Sequence, residues 1–236
     1  MIKIMSNTIL YEINLENIQD STTLNYIYNN KTDNYYLSSD FTKEFYITQA
    51  KAGFISTSIY IKDSFYLLPE IQFEYAVLDF KNLHISKKVE KLLNENSFRF
   101  VVNSDINLVL EKINSYHKDS WLCDRYRDLI LDLYKNPDDD FEIYSVLLYY
   151  QDEIIAGEIG YKIKTTYTSL SGFSSKDRKF NNWGKLQLVL LAKYLEENGF
   201  SFWNLGHPYM QYKFDLGAKL YKREAFLRKW LKKISS

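Results

Sequence analysis

Apolar and polar positions recur with two different periods along the chain, and the changes of period predict an α+β protein. Helical spacing predicts helices at 41–52, 86–93, 105–117, 121–134 and 183–198. The first of these has a signal at each end, because Asp40 can cap its start and Gly53 can take the left-handed position after it. Residues 1–34 carry only short apolar alternations, which predict irregular strand and turn.

Strands are predicted at 65–78, 98–102, 141–150, 153–162, 167–171 and 200–205. The turn near 162–165 is too short for anything except a hairpin, so the three strands around it predict an antiparallel meander. The strand at 200–205 follows a long helix, which predicts parallel pairing with the strand before that helix. Pro69 marks a boundary, and we predict a small N-terminal α+β domain at 1–68 and a larger domain at 69–236.

Composition narrows the class of protein. The chain has 236 residues, of which 46% are hydrophobic and 25% charged, and no apolar run approaches the roughly 20 residues of a membrane helix. The start lacks the apolar core of a secretory signal, so we expect a cytoplasmic monomer that binds no membrane. The single cysteine, Cys123, cannot form an internal disulfide, and His84, His117 and His207 lack metal-ligand spacing. We therefore expect no metal.

Charge is distributed unevenly although the net charge is zero. Residues 213–236 contain eight basic and two acidic side chains, a local net charge of +6. Such a cluster can bind phosphates of a nucleic acid, since neutralised phosphates release counterions. It can equally be the solvated face of an amphipathic helix whose inner face holds Phe226, Leu227, Trp230 and Leu231. The sequence leaves both interpretations open.

Short motifs spread over the chain after Tyr35 resemble, in the same order, those of the leucyl/phenylalanyl-tRNA-protein transferases. The motif Leu83-His84-Ile85-Ser86-Lys87 is similar to that family's Leu-His-Val-Ser-Arg, and Trp121 matches the Trp of its Trp-Ile-Thr-Pro segment. No single motif is specific, but their order is. The other matching segments include Ala52-Gly53-Phe54-Ile55, Ile155-Ala156-Gly157, Phe173-Ser174, Lys185, Leu216-Gly217-Ala218 and Arg223-Glu224-Ala225-Phe226-Leu227.

The resemblance implies a GNAT-like acyltransferase domain, with a mixed, mostly antiparallel sheet flanked by helices. It also implies an enzyme that moves an amino acid from aminoacyl-tRNA to a protein or peptide N-terminus, with the tRNA 3′ end as donor and no cofactor. Trp121 would stack on the terminal adenine, unless it is a core residue at a helix start. The substrate-binding residues expected with it are Ser171, Gly172, Phe173 and Lys185.

Three segments depart from the family pattern. Leu170 stands where the family has an acidic residue, Asn204-Leu205-Gly206 replaces Asp-Cys-Gln, and Thr57 falls where a second tryptophan is expected. Hairpin geometry puts Glu158 opposite 169–171, so we hypothesise that the carboxylate has moved from position 170 to Glu158. On an apolar strand its pKa would rise toward that of a general base. An ordinary exposed glutamate is the alternative.

Polar residues follow the strand at 200–205, where ligands bind in open α/β sheets. Asn204 could hold an acceptor amine through its carbonyl oxygen, and His207 could move a proton. Gly206 permits close backbone approach, while Tyr209 and Lys213 are expected to contact substrate, Lys213 through phosphate. Ordinary turn chemistry around His207 is the alternative.

A single cleft formed by Glu158, Asn204 and Trp121 is the central structural expectation. Two rival functions remain. One is an acyl-CoA-dependent N-acyltransferase with acetyl-CoA as donor, although the segment 178–185 has one glycine where a pyrophosphate loop needs several. The other is a non-catalytic relative that binds tRNA or peptide.

Overall fold

Nine α-helices and twelve strands form the part of the chain that the computed structural model describes, which is residues 2–4, 8–103, 105–118 and 120–235. The helices are α1 (Leu15–Gln19), α2 (Ser21–Asn29), α3 (Lys43–Lys51), α4 (Lys87–Glu95), α5 (Ile106–Tyr116), α6 (Asp124–Lys135), α7 (Trp183–Glu197), α8 (Gln211–Asp215) and α9 (Arg223–Ile234). The strands are β1 (Ile2–Ile4), β2 (Thr8–Glu12), β3 (Tyr36–Leu37), β4 (Ile55–Ile61), β5 (Ser64–Glu70), β6 (Glu74–Leu78), β7 (Phe98–Val102), β8 (Phe141–Tyr150), β9 (Glu153–Ile163), β10 (Thr166–Ser174), β11 (Phe202–Asn204) and β12 (Lys219–Lys222).

A seven-stranded mixed sheet organises the molecule, in the order β12-β6-β11-β10-β9-β8-β7. Strands β7 to β10 form an antiparallel meander, and β11 then pairs parallel with β10 after the crossover through α7. Both expectations from the sequence are confirmed, as is the α+β class. No helix in the described ranges is long and apolar enough to cross a membrane.

Each face of this sheet is covered by its own hydrophobic core. Helices α3, α5, α6 and α9 contribute to the first core, which includes Phe202 and Ile159. Helices α4 and α7 contribute to the second core on the opposite face, which includes Trp203 and Tyr167. Because successive strand residues point to opposite faces, the face of any polar side chain on these strands follows from its neighbours.

Strands β10 and β11 part soon after they meet. Their pairing ends at Thr168 opposite Asn204, yet β10 continues to Ser174. The chain after β11 instead follows β6, since the amide of Leu205 donates to the carbonyl of Ala76 and the amide of Ala76 donates to the carbonyl of Gly206. The sheet therefore opens at the carboxyl end of β11, where the polar residues of 204–213 lie.

The hairpin β4–β5 lies outside the main sheet and links it to the N-terminal helices. Pro69 is paired within β5 rather than ending it, because Ser56 lies opposite it. Residues of the first core come from both sides of position 68, including Phe45 and Ile130. The division at 68/69 stays a prediction.

Two local expectations were wrong. Residues 15–29 form the helices α1 and α2 instead of irregular structure, because Asn14 and Asp20 cap their starts by accepting backbone amides. The N-cap of α3 is Thr42 rather than Asp40, since the hydroxyl of Thr42 accepts from the amide of Phe45 at 3.2 Å. The left-handed Gly53 after α3 is confirmed, with φ of +90°.

Candidate active site

Asn204 and Gly206 lie at the carboxyl end of β11, as the sequence predicts. Asn204 is buried and points to the face of the first core, the face of Phe202 two residues earlier. Its Oδ1 accepts from the amide of Gly206 at 3.0 Å, and its Nδ2 donates to the hydroxyl of Thr168 at 3.4 Å. With φ of +71°, Gly206 turns the chain outward, so the residues after it leave the sheet.

His207 forms a close pair with a carboxylate that the sequence did not single out. Its Nε2 lies 2.7 Å from Oε2 of Glu70, which is buried at the end of β5. A carboxylate only accepts hydrogen bonds, so Nε2 carries a hydrogen, and in a neutral imidazole Nδ1 is then the acceptor. The ring of His207 stacks on that of Tyr209, whose residue is 82% exposed. The buried carboxylate of Glu70 thus fixes one edge of the His207 ring, while the face that stacks on Tyr209 is toward solvent.

A cavity of about 810 Å³ opens beside this pair. Its walls come from α2 and the segment after it, from the connection between β5 and β6, from the loop after β11 and from the start of α9. Arg223 joins these walls. It donates to the carbonyls of Ile71 at 2.6 Å and Gln72 at 3.1 Å, and on the α2 side to those of Ile27 and Asn30. Its role there is structural, because these bonds fix the N-terminal helices against the sheet.

Trp121, in the segment before α6, lies against β4, the strand paired with the β5 strand that ends at Glu70. The hydroxyl of Ser58 on β4 donates to the backbone carbonyl of Trp121, and the indole packs 5.0 Å from the ring of Tyr126. Ile55, three residues earlier on β4, is paired with Glu70. At about 3.4 Å per strand residue, the Ser58 and Ile55 positions are about 10 Å apart. Because residues three apart on a strand point to opposite faces, Ser58 and the partly buried Trp121 lie on one face of the hairpin, whereas Glu70 and His207 lie on the other.

Glu158 belongs to a buried network on the other face of the sheet. Its carboxylate accepts from Ser169 at 2.8 Å, Tyr167 at 3.1 Å and Gln187 of α7 at 3.2 Å. The indole of Trp203 donates to the same Ser169 hydroxyl at 2.8 Å. Burial raises the pKa of Glu158 to about 7, against the lowering effect of these hydrogen bonds and of the Lys213 charge. The expected rise is confirmed, and the alternative of an exposed glutamate is wrong, since the residue is 3% exposed.

Lys213 connects that network to the loop of His207. Its residue is 6% exposed, and its Nζ donates to the backbone carbonyls of Leu205 at 2.5 Å and His207 at 2.7 Å. Burial lowers its pKa to about 8, while the charge of Glu158 acts in the opposite direction. The expected phosphate contact is not what the structure has, because the ammonium group faces inward and holds the loop.

The predicted cleft of Glu158, Asn204 and Trp121 is wrong. Glu158 points under α7, whereas Asn204 and Trp121 lie on the face of the first core. The carboxylate has not replaced the side chain at position 170 either, because Leu170 packs against the first core. A bulge between Ser169 and Ser171 shifts the register, so Glu158 is opposite Gly172 rather than 169–171.

Comparison with known proteins decides the family. The family model described as leucyl/phenylalanyl-tRNA protein transferase matches residues 77–231, which is more than half of the chain. The chain belongs to this family. The matched range includes β7 to β12 entirely, together with Trp121, Asn204, Gly206, His207 and Lys213.

Curated leucyl/phenylalanyl-tRNA–protein transferases of two bacteria are similar to it at low identity. The protein from Pseudomonas syringae pv. tomato is 26% identical over 149 residues, covering 62% of this chain and 61% of the relative. That from Pseudomonas putida is 26% identical over 154 residues, covering 64% of each. The matched part is thus less than two thirds of these relatives' length.

Among solved structures, a crystal structure of FemX matches 89% of this chain and 76% of its own with 10% identity and a TM-score of 0.47. A likeness at this level does not determine the fold of this chain.

The other residues expected from the family resemblance lie apart from the His207–Glu70 pair. Ser171 and Gly172 contact Nε2 of His117, the hydroxyl at 3.4 Å and the carbonyl at 3.1 Å. Phe173 packs on Gly157, where a Cβ would come within 2.9 Å of its ring. Lys185 of α7 is half exposed and forms an ion pair with Asp215 at 3.0 Å. Their roles as substrate-binding residues stay predictions.

Sequence reasoning missed Glu70 and Gln72. Both are buried and line the cavity, Glu70 as the last residue of β5 and Gln72 in the connection to β6. The available signal was a charged and an amide residue in an otherwise apolar, strand-forming stretch, since such groups are buried only when they have partners or a function. Their partners come from positions far along the chain, which no local pattern reveals.

Proposed function

We propose that this chain transfers an amino acid from the 3′ end of an aminoacyl-tRNA to the N-terminal amine of a protein or peptide. The observation that carries the proposal is the family match over residues 77–231, which includes both Trp121 and the polar residues at the end of β11. The N-terminal part supplies Glu70 and most of the cavity wall from outside the matched range. We infer that it acts as a small domain completing a GNAT-like acyltransferase domain.

The β4–β5 hairpin supplies separate places for the two substrates, because Trp121 contacts one of its faces and the His207–Glu70 pair lies on the other. We infer that an adenine stacked on Trp121 extends the ester-bearing ribose around the edge of β4 toward the His207–Glu70 pair. Base stacking on an aromatic contributes about 1–3 kcal/mol and accepts any tRNA sequence. The cavity beside His207 then receives the acceptor. Donor and acceptor thus approach from opposite faces of the β4–β5 hairpin.

The chemistry needs little beyond positioning, because the aminoacyl ester is already activated. The amine nitrogen bonds to the ester carbonyl carbon, and the bond between that carbon and the ribose oxygen breaks. The proton lost by the amine goes to Nδ1 of His207 and from there to the ribose oxygen, while Glu70 holds the ring through Nε2. Bringing the two reactants together contributes about 7–11 kcal/mol to such a step.

The test is a mass measurement on acceptor peptides. Peptides with varied first residues are incubated with the protein and total charged tRNA, and the same peptides with deacylated tRNA are the control. The proposal expects a gain of one amino-acid residue at the N-terminus, only with charged tRNA. A gain of one acetyl group from acetyl-CoA, with none from charged tRNA, supports the acyl-CoA rival instead, and no gain from either supports a binding protein.

A further inference from the structure

The cavity beside His207 contains a buried hydrogen-bond acceptor that is not used. Oε1 of Gln72 has no hydrogen-bond partner in the described part of the chain, although the residue is 2% exposed. Its amide nitrogen lies 3.5 Å from Oε2 of Glu70, so exchanging the two amide atoms would bring two oxygens together. The orientation is therefore set by Glu70, and an unpaired buried acceptor costs about 1–3 kcal/mol.

The groups around this oxygen favour a ligand that donates hydrogen bonds. Glu70 is buried and accepts from Asn34 at 2.7 Å and from His207 at 2.7 Å. A carboxylate or phosphate placed here would meet both Glu70 and the Gln72 oxygen, which repel it. Arg223 offers little compensation, because it donates four hydrogen bonds to backbone carbonyls. The other cations of the wall, Lys31 and Lys222, are exposed and are matched in number by Glu74 and Glu224. An ammonium or amine group matches both acceptors.

We propose that Glu70 and Gln72 form the subsite for the primary amine of the acceptor, with Gln72 Oε1 and the Glu70 carboxylate accepting its hydrogens. The subsite deepens the proposed function and rests on it for the identity of the ligand as a polypeptide N-terminus. It places the amine nitrogen beside His207. Exposed apolar side chains, Phe73 and Tyr209, line the same cavity and are available to the following residues of the peptide.

The test measures binding without any donor, so that it is independent of turnover. Isothermal titration compares the tetrapeptide Ala-Ala-Tyr-Ala with its N-acetyl form on the wild-type protein, on Glu70→Gln and on Gln72→Met. We expect at least tenfold weaker binding after acetylation and in both variants. Glu12→Gln is the matched control, since this exposed carboxylate lies on β2 and accepts a hydrogen bond from the hydroxyl of Ser39. The Glu12→Gln protein should bind the peptide within twofold of wild type.

The outcomes separate this subsite from the proposed function. Equal binding of the free and acetylated peptides overturns the subsite, and so does absence of binding to wild type at millimolar peptide. If circular dichroism shows that Glu70→Gln does not fold, the Gln72→Met variant and the comparison of free with acetylated peptide on wild type still test the subsite. Binding that depends on the free amine, without transfer from charged tRNA, refutes the proposed function and leaves the amine subsite standing.

Discussion

Glu158, on β9, is the carboxylate of the buried network under α7, and its pKa lies near neutral pH. Replacing it by glutamine removes this titrating group. The folded-state pKa is about 7, compared with an ordinary value of 4.5. Between these values the unfolded chain has lost its proton while the folded chain keeps it. The folded state therefore binds more protons, and the free energy of unfolding falls as the pH rises.

The size of this effect follows from the shift. One pKa unit corresponds to about 1.4 kcal/mol, so Glu158 lowers the free energy of unfolding by about 3 kcal/mol between pH 4.5 and pH 7. The stabilisation is fully present below pH 4.5 and is lost as the pH passes 7. Glutamine keeps an oxygen for Ser169 and Tyr167 but gives no charge. The altered contact with Gln187 costs about 1 kcal/mol of the roughly 3 kcal/mol gained by removing the buried charge. At pH 8 we therefore expect the free energy of unfolding of Glu158→Gln to exceed that of wild type by about 2 kcal/mol.

The assay is urea unfolding of both proteins at pH 5, 6, 7 and 8, because the difference between them cancels the titration of all other groups. The difference should change by about 2.5 kcal/mol across this range, because pH 5 already lies above the ordinary pKa of 4.5. Glu153→Gln on the same strand is the control, since Glu153 is exposed and forms only a surface pair with Lys179 at 3.3 Å. If the difference in the free energy of unfolding between wild type and Glu158→Gln is the same at pH 5 and pH 8, Glu158 does not keep a proton in the folded state near neutral pH.

Three further predictions test other parts of the site. Trp121→Leu should weaken binding of an aminoacyl-adenosine analogue by about 1–3 kcal/mol, whereas Trp121→Phe retains most of it; equal titrations of both variants and wild type contradict adenine stacking. Lys213→Met should lower the free energy of unfolding by roughly 2–4 kcal/mol, because two buried carbonyls lose their donor. Wild type alone should gain stability as the pH rises from about 8 to 10.5, and an equal gain in Lys213→Met would show that another group is responsible. Lys222 and Lys232 are both exposed, and replacing both by alanine should reduce the slope of log affinity for tRNA against log salt concentration by about 1.4–1.8. Replacing two lysines of α4 by alanine is the control and should leave the slope unchanged. If the Lys222/Lys232 variant has the same slope as wild type, the basic side chains of the C-terminal segment face solvent and do not bind phosphate.

The main sheet was predictable because its connections are local. The turn after β9 has Lys164 in the left-handed region, with φ of 49°, and leaves room only for a hairpin. A helix between β10 and β11 requires a crossover and hence parallel pairing. The amphipathic interpretation of the C-terminal segment is likewise confirmed, since Phe226, Leu227 and Trp230 are buried. Whether its cations also bind phosphate stays a prediction.

The site was only partly predictable, because two of its features depend on non-local geometry. A single-residue bulge at Leu170 changes which residue faces Glu158, and nothing in the local sequence marks it. Asn34 and Glu70 are 36 positions apart and meet only through the tertiary fold, which no local pattern reveals. The sequence did reveal the residues at the carboxyl end of β11, because they are adjacent in the chain. These are Asn204, Gly206 and His207.

A crystal structure with a non-hydrolysable 3′-aminoacyl-amino-adenosine would show where the donor binds, because the two faces of the seven-stranded sheet are distinct in an electron-density map. We expect the adenine on Trp121 and the aminoacyl group near His207, on the face of Phe202. Ligand density under α7 beside Glu158 would contradict this expectation.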